Sequence, residues 1–236
     1  TLCKASVVAV ALGLAGCGGD INIDTGATVE QPDPGTGGGD NGGGDTGADL
    51  PGETSGSLSL AASEALGEEV QVQVLSGRIT EDTTLVNSLD DGTTVMYAID
   101  GPTFVGGDKA DSAVLTVEPG TVIFGRQGND YLVVSRDSQI IAEGTADAPI
   151  IMTSSQDVLG EETAPGQWGG FIILGNAPSN KCPSDGSDCA LQVEGAEEGA
   201  VFGGTDETDN SGVLRYLVVK HGGFEIAPDN ELNGIT

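Results

Sequence analysis

Leu115-Thr-Val117-Glu-Pro-Gly120-Thr-Val-Ile123-Phe-Gly125 is followed, 17 residues on, by Leu132-Val-Val134-Ser-Arg-Asp137-Ser-Gln-Ile140-Ile-Ala142. In both stretches a β-branched run ends at a Gly or Asp corner and a second run starts three residues later. Two short strands joined by a tight corner, recurring at a fixed offset, are the pattern of a β-solenoid turn, in which inward Leu, Val and Ile stack on their equivalents in the next coil. The runs around this pair have the same texture: Val70-Gln-Val72-Gln-Val74 alternates strictly, and Thr94–Tyr97, Ile150–Thr153, Phe171–Leu174 and Leu217–Val219 are short and apolar. Gly, Asp and Pro separate them, and no amphipathic helical period occurs after Val70. The expected fold is all-β, a β-solenoid, with an immunoglobulin-like β-sandwich as the alternative. Residues 155–167 and 177–211 are polar and read as loops bulging from corners.

The N-terminal part has a different character. Lys4, the apolar run Val7–Gly13 and then Leu14-Ala-Gly-Cys17 have the order of a bacterial lipoprotein signal, too short to span a bilayer. Residues 1–16 are the expected signal peptide, and Cys17 the lipidation site. Each buried methylene contributes about 0.8 kcal/mol, so two or more acyl chains anchor stably. Gly18 follows the cysteine where an Asp would signal inner-membrane retention, so an outer-membrane lipoprotein at the cell surface or periplasmic face is expected. Residues 17–56 are Gly, Asp, Thr and Pro with no Lys, Arg or aromatic residue. Such a stretch has little to bury and reads as a disordered acidic tether, with an r.m.s. reach of ~35 Å. Residues 57–111 then hold an N-terminal cap and the first strands, and 112–236 the β-helix. Leu232-Asn-Gly-Ile-Thr236 has mid-strand character, so a C-terminal truncation is expected.

Eight Lys+Arg against 37 Asp+Glu give a net charge of −29. That charge repels nucleic acid and anionic lipid headgroups, so both are poor candidate partners and no nucleic-acid partner is expected. It would attract divalent cations, and Asp206-Glu207-Thr-Asp209-Asn210, with Glu194, Glu197 and Glu198 upstream, is the densest acidic group. Asp206, Glu207, Asp209 and Asn210 are the candidate calcium ligands; the alternative, and the default, is a solvated acidic loop. Cys182 and Cys189 are close together in an exported, oxidising setting and are expected to form a disulfide that pins a loop. His221 is the only histidine, Arg215 the base nearest the acidic cluster, and neither is set beside a nucleophile by spacing. Trp168 is a candidate for stacking on a sugar ring, although the Gly residues around it favour a ring that covers a tight turn. No phosphate loop, nucleotide fingerprint or zinc motif occurs.

Five segments in series also carry a resemblance: Pro119–Gly125, Ile140–Ser154, Gly166–Gly170, Ser211–Gly223 and Asn230–Ile235. Together they resemble a family of exported right-handed parallel β-helix proteins of Gram-negative bacteria, many of them lipoproteins. The resemblance covers residues 112–236 and implies the fold and the cell envelope; it brings no catalytic residues. The expected role is a non-catalytic module that binds a glycan or another surface, or serves envelope structure. The alternative is a polysaccharide lyase or hydrolase whose active coils lie beyond Thr236. Calcium-dependent assembly into a surface layer is a third possibility.

Overall fold

A computed structural model describes residues 70–236 except Ser184 and Asp229. The lipobox with Cys17, the tether and the start of the 57–111 segment lie outside the described residues.

The chain winds as β1 (Val70–Ile79), β2 (Thr83–Leu85), β3 (Thr94–Val105), β4 (Val114–Val117), β5 (Val122–Gly125), β6 (Tyr131–Val134), β7 (Gln139–Glu143) and β8 (Ile150–Ser154). One helical turn, α1 (Ser155–Val158), precedes β9 (Gly170–Ile173). After it come β10 (Leu191–Gln192), β11 (Val201–Phe202), β12 (Gly212–Arg215), β13 (Leu217–Val219), β14 (Glu225–Ala227) and β15 (Asn230–Glu231). Apart from the two hairpins β10–β11 and β14–β15, every pairing between these strands is parallel. Parallel neighbours rule out an antiparallel sandwich. The molecule is a parallel β-helix.

Each coil has three faces. The first stacks β3, β5, β8 and β13, beginning at the first half of β1; the second stacks the latter half of β3 with β6 and β9; the third stacks β2, β4, β7 and β12. In β1 and β3 a single strand serves two faces. β3 turns the corner at Asp100-Gly101-Pro102, where Gly101 has φ +71°. The buried Asp130 carboxylate braces that bend, accepting from Gly101 N (2.8 Å) and from Arg126 N and Gln127 N (2.8 and 3.0 Å) of the coil above.

This geometry changes the meaning of the 17-residue repeat. Leu115 lies beside Ile140, Tyr97 beside Ile123, and Ile123 beside Met152, so a coil takes 25–29 residues over most of its course. The repeat superposes the third-to-first corner on the second-to-third corner of the same winding. It records the strand–corner unit and not the coil period, because all three corners impose the same inward-apolar pattern.

Inside, Val95, Tyr97, Ile99, Leu115, Val117, Ile123, Leu132, Val134, Ile140, Ala142, Met152, Trp168 and Phe171 form one continuous core. Burying each large aliphatic is worth about 1.5–3 kcal/mol, and their stacking sets the register. Trp168 sits at the corner after the first face, against Gly125, where any side chain would collide with it. The outside of the second face is apolar as well: Phe104, Val133 and Ile172 line up there. Residues 174–211 leave the coil after β9 and cover them with Val193, Ala200 and partly buried Phe202. Arg136 holds this cover down. Its side chain is 2% exposed, pairs with Asp108 through Nε and Nη2, and donates Nη1 to Cys189 O (2.6 Å) and Gly203 O (2.5 Å).

Candidate functional site

Two groups of polar side chains stand on the outside of the coils. The first is built at the corner that follows the first face. Ser154 ends β8 and caps α1, its Oγ accepting from Asp157 N (3.3 Å), which fixes Asp157 beside the strand. On the next coil, Lys220 and His221 follow β13, paired with β8 in register. Asp157 Oδ2 therefore meets Lys220 Nζ and accepts from Thr153 Oγ1 (2.8 Å), while Oδ1 lies 3.7 Å from His221 Nε2. The Lys220 ammonium holds the Asp157 carboxyl below the usual carboxylate range, against partial burial and with help from Thr153 and His221. His221 has φ +59°, a left-handed conformation, and its carbonyl accepts from Gln167 N (3.0 Å). Chemically this is a neutralised ion pair, with Lys220 Nζ engaged by the Asp157 carboxylate.

The second group lies where the third face meets the first. Arg215 Nη1 and Glu143 Oε1 are 3.1 Å apart on adjacent coils, both largely exposed. Tyr216 follows, and it alone forms the corner between β12 and β13. Its φ is +46°. A left-handed conformation costs a side-chain-bearing residue roughly 1–2 kcal/mol and is unusual for a bulky one. The Arg215 and Tyr216 carbonyls accept from Gly144 N (2.9 Å) and Ile150 N (3.0 Å), so the corner grips both ends of the 144–149 turn. The Tyr216 side chain is the most exposed large one of the described apolar and aromatic residues, at 60%. Sequence reading missed it; an aromatic alone between two strand runs, with no Gly or Asn to make the corner, is the signal that was there.

With this three-faced coil in view, a comparison with known families is decisive. The sequence matches the family described as "Pectate-lyase like beta helix domain" over residues 77–236. The chain belongs to that family. Neither the curated proteins nor the solved structures contain a significant match.

This pectate-lyase-like β-helix disposes of the residues singled out in the sequence as follows. Cys182 and Cys189 form a disulfide, Cα atoms 5.6 Å apart, inside the cover over the second face. Trp168 has no exposed surface, and its indole N–H donates to Lys220 O (2.7 Å). Stacking on a sugar needs an open ring face, so Trp168 is not a sugar platform; it fills the corner. The acidic loop is not drawn into one site. Asp206 Oδ1 accepts from Thr208 N and Oγ1 (2.8 and 2.7 Å), Asp209 Oδ2 from Asn176 N (3.0 Å), and Asn210 Oδ1 from Gly212 N (3.0 Å). Each oxygen caps its own turn or loop and Glu207 lies exposed, so the four do not converge as calcium ligands. Among the described residues no three His, Cys, Asp or Glu gather to hold a metal ion. A cavity of about 600 Å³ lies between β9 and the cover, walled by Leu174, Leu191, Val193 and Phe202 with Lys181 among its lining.

Proposed function

We propose that this chain is an exported module, lipid-anchored through Cys17 to the outer membrane, whose β-helix binds a glycan or another envelope surface without cleaving it. The observation that carries the reading is the pairing of the outward acid–base groups: Lys220 with Asp157 and Arg215 with Glu143. Glycosidic cleavage by a lyase or hydrolase needs a free base or two free carboxylates converging on one bond, whereas Lys220 and Arg215 are each held by a carboxylate and His221 faces the same Asp157 at 3.7 Å. Family membership supports a polysaccharide-related role and favours one rival, a lyase or hydrolase. A third proposal, calcium bridging between copies through the acidic surface, rests on the net charge alone.

The test uses the full-length gene product, freed of its lipid, against neutral and acidic polysaccharides with and without calcium, scoring retention and new chain ends in the same tubes. Retention without new ends supports the binding module; new ends support the enzyme; retention that requires calcium supports bridging. For the anchor, Cys17→Ser abolishes lipid labelling and releases the protein from membranes. Unchanged membrane attachment of that variant refutes the lipid anchor.

A further inference from the structure

We infer that Tyr216, with Glu143 and Arg215 beside it, is a binding subsite for a neutral glycan. The inference rests on the glycan-binding reading above and names the place and the ligand class. Three observations converge. The first is conformational: a one-residue corner at φ +46° is a position for Gly or Asn, whose backbones adopt it readily. A tyrosine there is strained, and backbone strain kept by a bulky side chain points to a use for that side chain.

The second is exposure. Tyr216 is 60% exposed on a chain whose other aromatic rings mostly lie buried or half-buried, and it presents a flat ring with a polar tip. The apolar C–H face of a pyranose fits such a ring. The third is the neighbouring pair. Glu143 is an acceptor and Arg215 a donor, 3.1 Å apart and both open to solvent. Side by side they match adjacent sugar hydroxyls, one donating and one accepting. The exposed turn 145–147, whose far end is tied through Ala148 N to Thr145 Oγ1 (3.0 Å), borders the same corner.

Charge selects the ligand class. The chain carries −29, and Arg215 is already neutralised by Glu143. A polyuronate would be repelled, whereas a neutral chain of glucose, xylose or mannose units would not.

The experiment measures affinity of the full-length, lipid-free protein for hydroxyethyl cellulose, xyloglucan, galactomannan and polygalacturonate. Wild type, Tyr216→Phe and Tyr216→Asn are compared, each with its Tm. The expected result is binding of a neutral polysaccharide by wild type and Tyr216→Phe. Tyr216→Asn then loses roughly tenfold while its Tm stays equal or rises by about 2–4 °C. Neutral binding undiminished in Tyr216→Asn overturns the subsite and leaves the glycan-binding reading standing. A marked fall in the Tm of Tyr216→Asn also overturns it, because the ring is then a packing element. Binding of polygalacturonate alone overturns the ligand class, and no binding of any polysaccharide by wild type overturns this inference together with the reading beneath it.

Discussion

Arg136 grips Asp108 with two parallel hydrogen bonds, Nε to Oδ1 and Nη2 to Oδ2, each 2.5 Å. The two residues sit in the β3–β4 and β6–β7 connections, one coil apart, and the guanidinium is almost wholly buried. Asp108 raises the guanidinium's affinity for its proton further, so the cation persists at any pH the protein meets. Two carbonyls of the covering segment, Cys189 O and Gly203 O, complete its shell.

Arg136→Leu therefore strands those two carbonyls, while Asp108, partly open to solvent, loses its partner. The expected loss is about 2–4 kcal/mol, read as a lower urea midpoint. Arg136→Lys recovers only part of it, since an ammonium cannot form the planar fork. A variant with wild-type stability would refute the staple.

The disulfide closes a loop with a sequence separation of only 7. Chain-entropy arguments give about 2 kcal/mol for so short a loop. Cys182→Ser, or reductant, is expected to lower Tm by roughly 4–8 °C. Hydrogen exchange should quicken in residues 175–206 and stay slow in β6 and β7. Global loss of structure on reduction would contradict this.

Tyr97 lies fully buried with Oη donating to Val86 O (3.1 Å), and burial pushes its phenol up to about 12. An unfolded tyrosine ionises near 10. The folded group keeps its proton longer, so its contribution is whole below pH 10 and disappears as pH rises towards 12. Unfolding midpoints followed from pH 9 to 12 should fall, and Tyr97→Phe should flatten part of that slope. Burial raises Tyr131 in the same direction, so the remainder persists.

Asp157 supplies the acid limb. Its depressed pKa means that its contribution is present above the ordinary carboxylate value of about 4 and is lost as pH falls through the lower folded value. Asp157→Asn should leave the difference in stability between pH 6 and pH 3 smaller than in wild type. An unchanged difference would mean that Lys220 and Asp157 do not meet in solution.

Trp168 is the only tryptophan, which makes its burial directly readable. Its emission should be blue-shifted and resist iodide quenching, with or without polysaccharide. Trp168→Ala is expected to cost about 3–5 kcal/mol. Strong quenching would return the ring to the surface.

The strands were legible as short β-branched and aliphatic runs between Gly, Asp and Pro. Val70-Gln-Val-Gln-Val74 and the runs at 114–117, 122–124, 131–134, 139–142 and 150–153 all fall on coil strands, some with alternating burial, as in β4 and β7, and some covered on both faces, as in β6. Asp100-Gly101-Pro102 reads as a stop, yet β3 continues through it, since the ladder partner Tyr131 pairs with Pro102 across the bend. β2 is three residues long, too short to show a period, and is fixed by its neighbour β4. The site was harder. Trp168 stands in turn-like sequence and Tyr216 between two apolar runs, and only the winding decides that one ring turns into the core while the other turns out. The Asp157–Lys220 pair joins residues 63 positions apart, brought together by the parallel register of β8 and β13. No local pattern contains such a relation.

Under the anchoring proposed above, which would hold the protein by one end, the Arg136 staple has a mechanical meaning. Parallel coils pulled along their axis come apart one rung at a time, as a zipper does. Arg136 binds the connection below it and the long segment emerging above it, so three successive windings share one fastening. Under shear at a surface the rod would resist until that fastening fails, and then lengthen in one large step.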